Sequence, residues 1–411
     1  MDPVAGHGEE VLSITQRRVL GSGRALNWSL GLGIVGLLAT AAFYFLGGPK
    51  QHGTVLAGYL VAFCYWVGIA VTATIWNAIF HAAAAKWMVV LRRVLEGIGA
   101  SLPVFIPLFL PILLGLATVF PWVRPSSAMS AEQLELLSHK APELNVPFFL
   151  IRAVIYFAVW WFVSDRLRRW SLKQDEVGGV ELTRHMRRLG AGSLPFLGLT
   201  ITFAAFDWLM SVDPFWISTI FGVYYFAGSF LSAMCLVAIL IAWNQGDATG
   251  LGGAVTRYHL YNVGKLMLAF TAFWTYAAFS QFMLIWIANI PEESAWYVVR
   301  MKGGWTNVGI FLIIANFFIP FFTLLSRELK FRPRALAVVA VWLMVVHYVD
   351  IYWLIMPALF PSGAQPHLAH LTALLGVGGI AVATALWRAK GHFAIPVKDP
   401  NLSYSLRYTQ A

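Results

Sequence analysis

Residues 55–80 read VLAGYLVAFCYWVGIAVTATIWNAIF, an apolar run without a single Asp, Glu, Lys or Arg. At about 1.5 Å of rise per residue, a helix over this run is long enough to cross the roughly 30 Å hydrocarbon core of a bilayer. The run is continuous rather than alternating and far exceeds the roughly 10 residues a barrel strand needs, which argues against a membrane β-barrel. Similar runs at 26–47, 100–120, 147–164, 190–210, 217–243, 265–289, 305–326, 335–357 and 369–388 complete a prediction of ten spanning helices. Composition agrees, because 59% of the 411 residues are hydrophobic, 12% are charged and the mean hydropathy is +0.69. A soluble domain of this length does not look like that. The expected protein is all-α and polytopic, a single integral membrane domain over 1–411, with helices one to six in 26–243, helices seven to ten in 265–388 and a cytoplasmic tail over 389–411. No cleavable signal stands near the start, so the first helix is expected to direct insertion.

Lys and Arg test this count, because they concentrate in the loops of the cytoplasmic face. With the amino terminus inside, that face collects Arg17, Arg18 and Arg24, then Lys86, Arg92 and Arg93, then seven cations between Arg166 and Arg188. Arg257, Lys265, Arg327, Lys330, Arg332, Arg334, Arg388, Lys390, Lys398 and Arg407 join them. The other face holds Lys50, Arg124, Lys140, Arg300 and Lys302, and Arg152 alone falls inside a span. Both termini are therefore predicted to be cytoplasmic. The net charge of +10 follows from this topology and from anionic lipid at the inner surface, with no need of a nucleic acid.

Cys64 and Cys235 both fall inside spans and read as small buried hydrophobes. There is no CxxCH for covalent haem, and two thiols cannot furnish an iron–sulfur cluster. Of the ten histidines only His347 sits deep in a span, which argues against a bis-histidine haem. The expectation is a chain without a redox centre or metal of its own. No Walker motif, dinucleotide fingerprint or nucleophile elbow is present, so self-contained catalysis is unsupported.

What the spans do carry is polar residues at membrane depth, each costly unless paired or hydrated. FAAFDWLMSVDPFWISTIF at 203–221 holds two acids. Asp213, before Pro214 in a short outer turn, reads as a turn or cap residue. Asp207 lies in a helical run and needs a donor, water or a proton, so it reads equally as a functional and as a structurally paired acid. Arg152, one turn inside the outer end of helix four, is a candidate partner for Asp207 or for Glu292 and Glu293 in the next outer loop. His347 and Asp350 are three apart on one helical face, a proton-handling arrangement or a structural pair. Tyr276, Ser280 and Gln281 offer hydroxyls and an amide in the outer half of helix seven, for a water chain or for ordinary interhelical bonds. At the inner ends stand Asn77, His81, His259, Lys265 and Arg327, which either take up protons or merely reach the headgroups. Among the loops, SAEQLELL within 124–146 predicts a short amphipathic helix, and 165–189 reads as a solvated cytoplasmic loop.

The stretches FDWLMSVDPFWISTIFGVYYFAGSF (206–230) and YHLYNVGKLMLAFTAFWTYAAFSQFMLIWIANIPEE (258–293) resemble the ActF-type membrane subunit of bacterial alternative complex III. NFFIPFFTLLSRELK (316–330), VHYVDIYWLIMP (346–357), IPVKDPNLSYSLRY (395–408) and KAPELNVPFFLIRAVIYF (140–157) support the resemblance. It implies an NrfD-like (polysulfide reductase membrane subunit) architecture of two four-helix bundles and a peripheral helix pair in the bacterial inner membrane. It also implies quinol as reductant of the complex, with iron–sulfur clusters and c-type haem in partner subunits, beside a second, quinone-site NrfD-like membrane subunit. A terminal oxidase and membrane lipid are the further partners. Trp208, Trp216, Trp274 and Trp286 are candidates to line a quinone ring site. A membrane subunit free of redox centres is then expected to couple quinol oxidation to proton movement. The outer half-path would be Asp207, Tyr276, Ser280, Gln281, His347 and Asp350, and the inner half Asn77, His81 and Lys265, joined by His259 or Arg327. The rivals are a structural scaffold and a stand-alone secondary transporter, the latter opposed by the absence of an evident inverted repeat or pair of Gly/Pro-broken helices.

Overall fold

A computed structural model describes residues 23–127, 129–243, 251 and 253–409; Arg17 and Arg18 lie outside them. With water excluded from hydrocarbon, each span must satisfy its backbone internally, and among the described residues the apolar runs all fold as helices. Ten helices among the described residues are long and apolar enough to cross a membrane: α1 (Gly23–Leu46), α2 (Pro49–Ala82), α3 (Lys86–Leu114), α4 (Val146–Val177), α5 (Glu181–Val212), α6 (Phe221–Trp243), α7 (Arg257–Ala288), α8 (Trp305–Leu325), α9 (Pro333–Leu359) and α10 (Leu368–Ala389). The chain is a multi-pass membrane protein. We call the side on which α1 begins and α10 ends the basic side.

α2 is the central post, buried along most of its length, with α5, α6, α9 and α10 packed around it. α4 packs against both α3 and α5 on one flank, while on the other α6 and α8 each pack against α7 and α9. α1 and α10 pair outside. They meet through glycine, since a Cβ on Gly36 would lie 2.6 Å from the Gly376 backbone and one on Gly379 would lie 2.5 Å from that of Gly33. Lipid offers no hydrophobic drive to join two helices, so close backbone approach through small residues supplies the contact. Gly376→Leu is expected to part α1 from α10 and to cost about 3 kcal/mol or more, read as a lowered thermal midpoint in detergent.

Two spans depart from the straight helices expected. The sequence predicts the third at 100–120, yet its span begins at Lys86, and Pro103, Pro107 and Pro111 divide its outer part into short 3₁₀ and α pieces. Each proline removes an amide donor and crowds the carbonyl four residues back. The eighth contains a π-turn over Ile313–Phe318 just before Pro320, and the carbonyl of Ala315 there accepts from Trp342 Nε1 at 2.8 Å. Proline-broken or bulged helices are thus present, contrary to the sequence reading, although they fall second in one group of four and third in the other.

The segment 165–189 is not a solvated loop. α4 runs on to Val177, α5 starts at Glu181, and Gly178 and Gly179 make the turn at φ 68° and 86°, a conformation that favours glycine. On the opposite side SAEQLELL does form a helix, Ala131–Lys140, begun by a capping box between Ser130 and Gln133.

Arg92 and Arg93 are likewise not loop cations. Arg92 is buried and meets Asp399 at 2.5 Å, Glu96 at 3.3 Å and Gln174 at 3.2 Å. Arg93 meets Glu96 at 2.8 Å and also pairs with Asp175, whose second oxygen accepts from the Val397 amide at 3.0 Å. The carboxy-terminal residues therefore form a strap, with Ile395 and Ser405 buried and Ser405 Oγ donating to the Trp87 carbonyl at 2.7 Å. Removing Asp399 takes away the shortest contact of Arg92 but leaves it Glu96. Asp399→Ala is expected to destabilise the fold by about 1.5–3 kcal/mol, the cost of a lost hydrogen bond to a charged group, and to expose the strap to limited proteolysis.

Candidate functional site

Two buried carboxylates stand in separate places, and their partners differ in kind. Asp207 is 6% exposed at the outer end of α5. Arg152 of α4 grips it with two bonds, Nε to Oδ2 at 2.8 Å and Nη2 to Oδ1 at 2.7 Å, and Tyr156 Oη donates to Oδ2 at 2.7 Å. Arg152 also donates to the Glu143 carbonyl at 2.9 Å and lies over the Phe148 ring. The partnership of Arg152 is thus with Asp207. Glu292 and Glu293 stand elsewhere, in the first turn of the outer helix Pro291–Arg300, where carboxylates suit the free amides. A guanidinium keeps its proton under ordinary conditions, so Asp207 faces a permanent cation.

Asp350 is fully buried in α9, nine residues before the helix end and hence about 14 Å along the axis from it. Tyr224 Oη of α6 donates to Oδ1 at 2.5 Å and Trp274 Nε1 of α7 donates to Oδ2 at 3.2 Å. Among the described residues its ion-pair partner is His347, with Nδ1 3.4 Å from Oδ2. His347 Nε2 lies 3.5 Å from Ser229 Oγ, and the imidazole fits only because position 228 is glycine, where a Cβ would stand 2.6 Å from the ring. Every partner of Asp350 except His347 is neutral, and His347 is itself titratable. The net charge of such a pair changes only when a proton joins or leaves it, not when one passes between its members.

Outward from the pair runs a second group of polar side chains. Gln281 of α7 accepts from Ser218 Oγ at 3.0 Å and donates to Tyr297 Oη at 3.2 Å. Burial pushes the Tyr297 hydroxyl up to about 12, against the opposing pull of Gln281 and Arg300. Arg300 is only 2% exposed, donates to the carbonyls of Trp296 at 3.0 Å and Leu354 at 2.7 Å, and lies 3.3 Å over the Trp296 ring. Burial lowers its proton affinity, while Asp213, Tyr297 and Tyr224 act to restore it. Asp213 accepts from the Phe215 amide at 3.3 Å, the turn role expected of it. Its carboxyl is raised by burial and held back by Arg300, the Phe215 amide and Lys140.

The remaining candidates scatter. Tyr276 is 63% exposed on the outer surface of α7 and Ser280 is half-buried beside that surface, so neither reaches Asp350. Asn77 and His81 are buried on α2, with Asn77 Oδ1 and His81 Nε2 lacking hydrogen-bond partners among the described residues. His259, at the start of α7, faces the strap: Nδ1 accepts from the Thr256 amide at 3.0 Å and Nε2 lies 3.4 Å from Ser405 Oγ. Lys265, Arg327 and Lys330 gather around the Tyr261 ring on the basic side. Asp207 and the Asp350 pair therefore do not form one continuous outer half-path, because each is enclosed by its own helices. The four tryptophans also fail to converge: Trp208 packs among Phe63, Phe109 and Phe157, Trp216 stacks on Trp296, Trp274 serves Asp350, and Trp286 is 70% exposed.

Sequence reasoning missed Tyr224, Tyr297, Arg300, Ser218 and Ser229. It also missed the buried Ser232 of α6, Thr271 of α7 and Asn316 of α8, each with an oxygen that has no partner among the described residues. Among the described residues no group of three or more His, Cys, Asp or Glu is placed to hold a metal. Cys64 and Cys235 are buried free thiols. A scan against protein-family models gave no match, and neither did a comparison with curated proteins.

Proposed function

We propose that this chain is a membrane subunit that moves protons through its α6, α7 and α9 helices, within a quinol-oxidising respiratory complex of the alternative complex III type. The observation that carries the proton reading is the His347–Asp350 pair, enclosed at membrane depth with neutral donors and no permanent cation at ion-pair distance among the described residues. A proton arriving at the pair changes its charge, and low dielectric makes each charge state sensitive to small shifts of its neighbours. Ser229, Ser232 and Thr271 extend the polar lining toward the basic side, while Tyr224, Gln281, Tyr297 and Asp213 extend it outward. The Asp207–Arg152–Tyr156 group is assigned a structural role, pinning α4 to α5.

The assignment to a respiratory complex rests on the resemblance of residues 206–230 and 258–293. In this reading the packing of α2–α5, α6–α9 and the α1–α10 pair corresponds to two four-helix bundles with a peripheral pair, and the basic side is cytoplasmic in a bacterial inner membrane. Quinol, c-type haem and iron–sulfur clusters belong to the partner subunits. The secondary-transporter reading is less well supported, because the broken α3 and bulged α8 do not occupy matching positions in the two groups of four.

The test is affinity purification from native membranes in mild detergent, followed by a reduced-minus-oxidised spectrum and a haem stain. Copurified c-type haem on other polypeptides, reducible by quinol, is the expected result. A colourless lone polypeptide would overturn the respiratory assignment.

A further inference from the structure

Between the ends of α2, α3 and α5 on the basic side lies a cavity of about 280 Å³. Lys86, Arg92, Arg184 and Arg187 line it, against a single acid, Asp399. Asp399 is already committed to Arg92 at 2.5 Å, and Arg184 meets Glu181 at 3.2 Å outside the lining. Arg187 has no acid partner among the described residues, and the contact of Lys86 is with the Tyr404 ring, 5.8 Å away. The surplus is positive. His81 also lines the cavity, is 4% exposed, and carries an Nε2 with no hydrogen-bond partner among the described residues. Phe80 and Val89 supply apolar wall.

We infer that this cavity binds a phosphate group, held by Lys86 and Arg187 with His81 Nε2 as a donor in its Nε2–H tautomer. In that tautomer Nε2 is a buried donor without a partner, a cost that an acceptor would remove. A phosphate offers several strong acceptor oxygens and a charge that the lysine and arginine match, with Arg187 able to bond two oxygens at once. The excess of cations disfavours a cationic ligand or a second carboxylate-bound lysine. The site stands independently of the respiratory assignment, and its phosphate belongs either to an anionic lipid headgroup or to a free phosphate.

The full chain, delipidated in neutral detergent, is offered equal phosphatidylglycerol and phosphatidylcholine and read by native mass spectrometry. Inorganic phosphate is titrated separately by calorimetry. Lys86→Gln/Arg187→Gln is the test variant, and since both side chains are exposed, its thermal midpoint is expected to match that of the parent. Arg166→Gln/Arg334→Gln, at exposed cations on the same side but outside the lining, is the control for bulk surface charge. Phosphatidylglycerol retention that falls at least tenfold in the test variant and not in the control supports the site and identifies a lipid headgroup. Heat from inorganic phosphate that is lost in the test variant alone supports it and identifies a free phosphate. Equal retention in parent and test variant without phosphate heat, or equal losses in test and control, would overturn it.

Discussion

Arg152→Ala lowers the stability of the folded chain by about 3–5 kcal/mol, because it leaves the enclosed Asp207 carboxyl group without its cation. The guanidinium makes two bonds to the carboxylate and a third to the Glu143 carbonyl, with its side chain 13% exposed and that of Asp207 8%. Solvent therefore does little to screen the loss. Trp208, the next residue along α5, packs against Phe63, Phe157 and Trp160, so a displaced Asp207 disturbs the aromatic core between α2, α4 and α5. Arg152→Leu with Asp207→Leu together should cost less than Arg152→Ala alone, since neither charge then remains unpaired. Tyr156→Phe removes one charge-assisted bond and should cost about 1.5–3 kcal/mol. Thermal midpoints in one detergent, compared across the three variants, check the order. If Arg152→Ala proves as stable as the parent, Asp207 is not held as an ion pair.

The same chemical group behaves differently at Asp350, and the second large effect is functional. Asp350→Asn keeps the size of the side chain and its oxygen acceptor for Tyr224 or Trp274, yet it cannot exchange a proton with His347. The fold should hold, because the substituted amide leaves no buried charge behind. Under the proposed function, proton transfer through α6, α7 and α9 should stop. Asp207→Asn, by contrast, should damage stability while leaving transfer in the surviving folded fraction intact. This opposition between two buried acids follows from their partners: an arginine, whose charge is permanent, and a histidine, the side-chain type suited to proton exchange.

The spans were legible because hydrocarbon imposes a length and a composition on every one of them. The rotation of each helix about its axis was not, since lipid-facing and core-facing surfaces are both apolar and periodicity carries little information. Tyr276 illustrates this: it shares a face of α7 with Ser280 by spacing, but that face looks outward. His347 and Asp350 could be paired from sequence because three residues of one helix separate them. Tyr224 and Trp274 could not, because they reach Asp350 across sequence separations of 126 and 76 residues and nothing distinguishes them among 14 tyrosines and 18 tryptophans. Arg92 and Arg93 were misplaced for a related reason. Cations normally mark loops, and their acids, Asp175 and Asp399, come from the end of α4 and from the strap. The one local signal was Glu96, four residues after Arg92 at helical spacing.

For the proposed function, the most direct measurement is proton release per quinol oxidised, in sealed vesicles carrying the proposed quinol-oxidising complex with Asp350→Asn in this chain. Quinol oxidation that continues while proton release falls to the level of the scalar chemistry is the outcome expected of a proton-carrying His347–Asp350 pair. Oxidation with proton release equal to that of the parent complex would contradict it and leave the pair as a structural link between α6, α7 and α9.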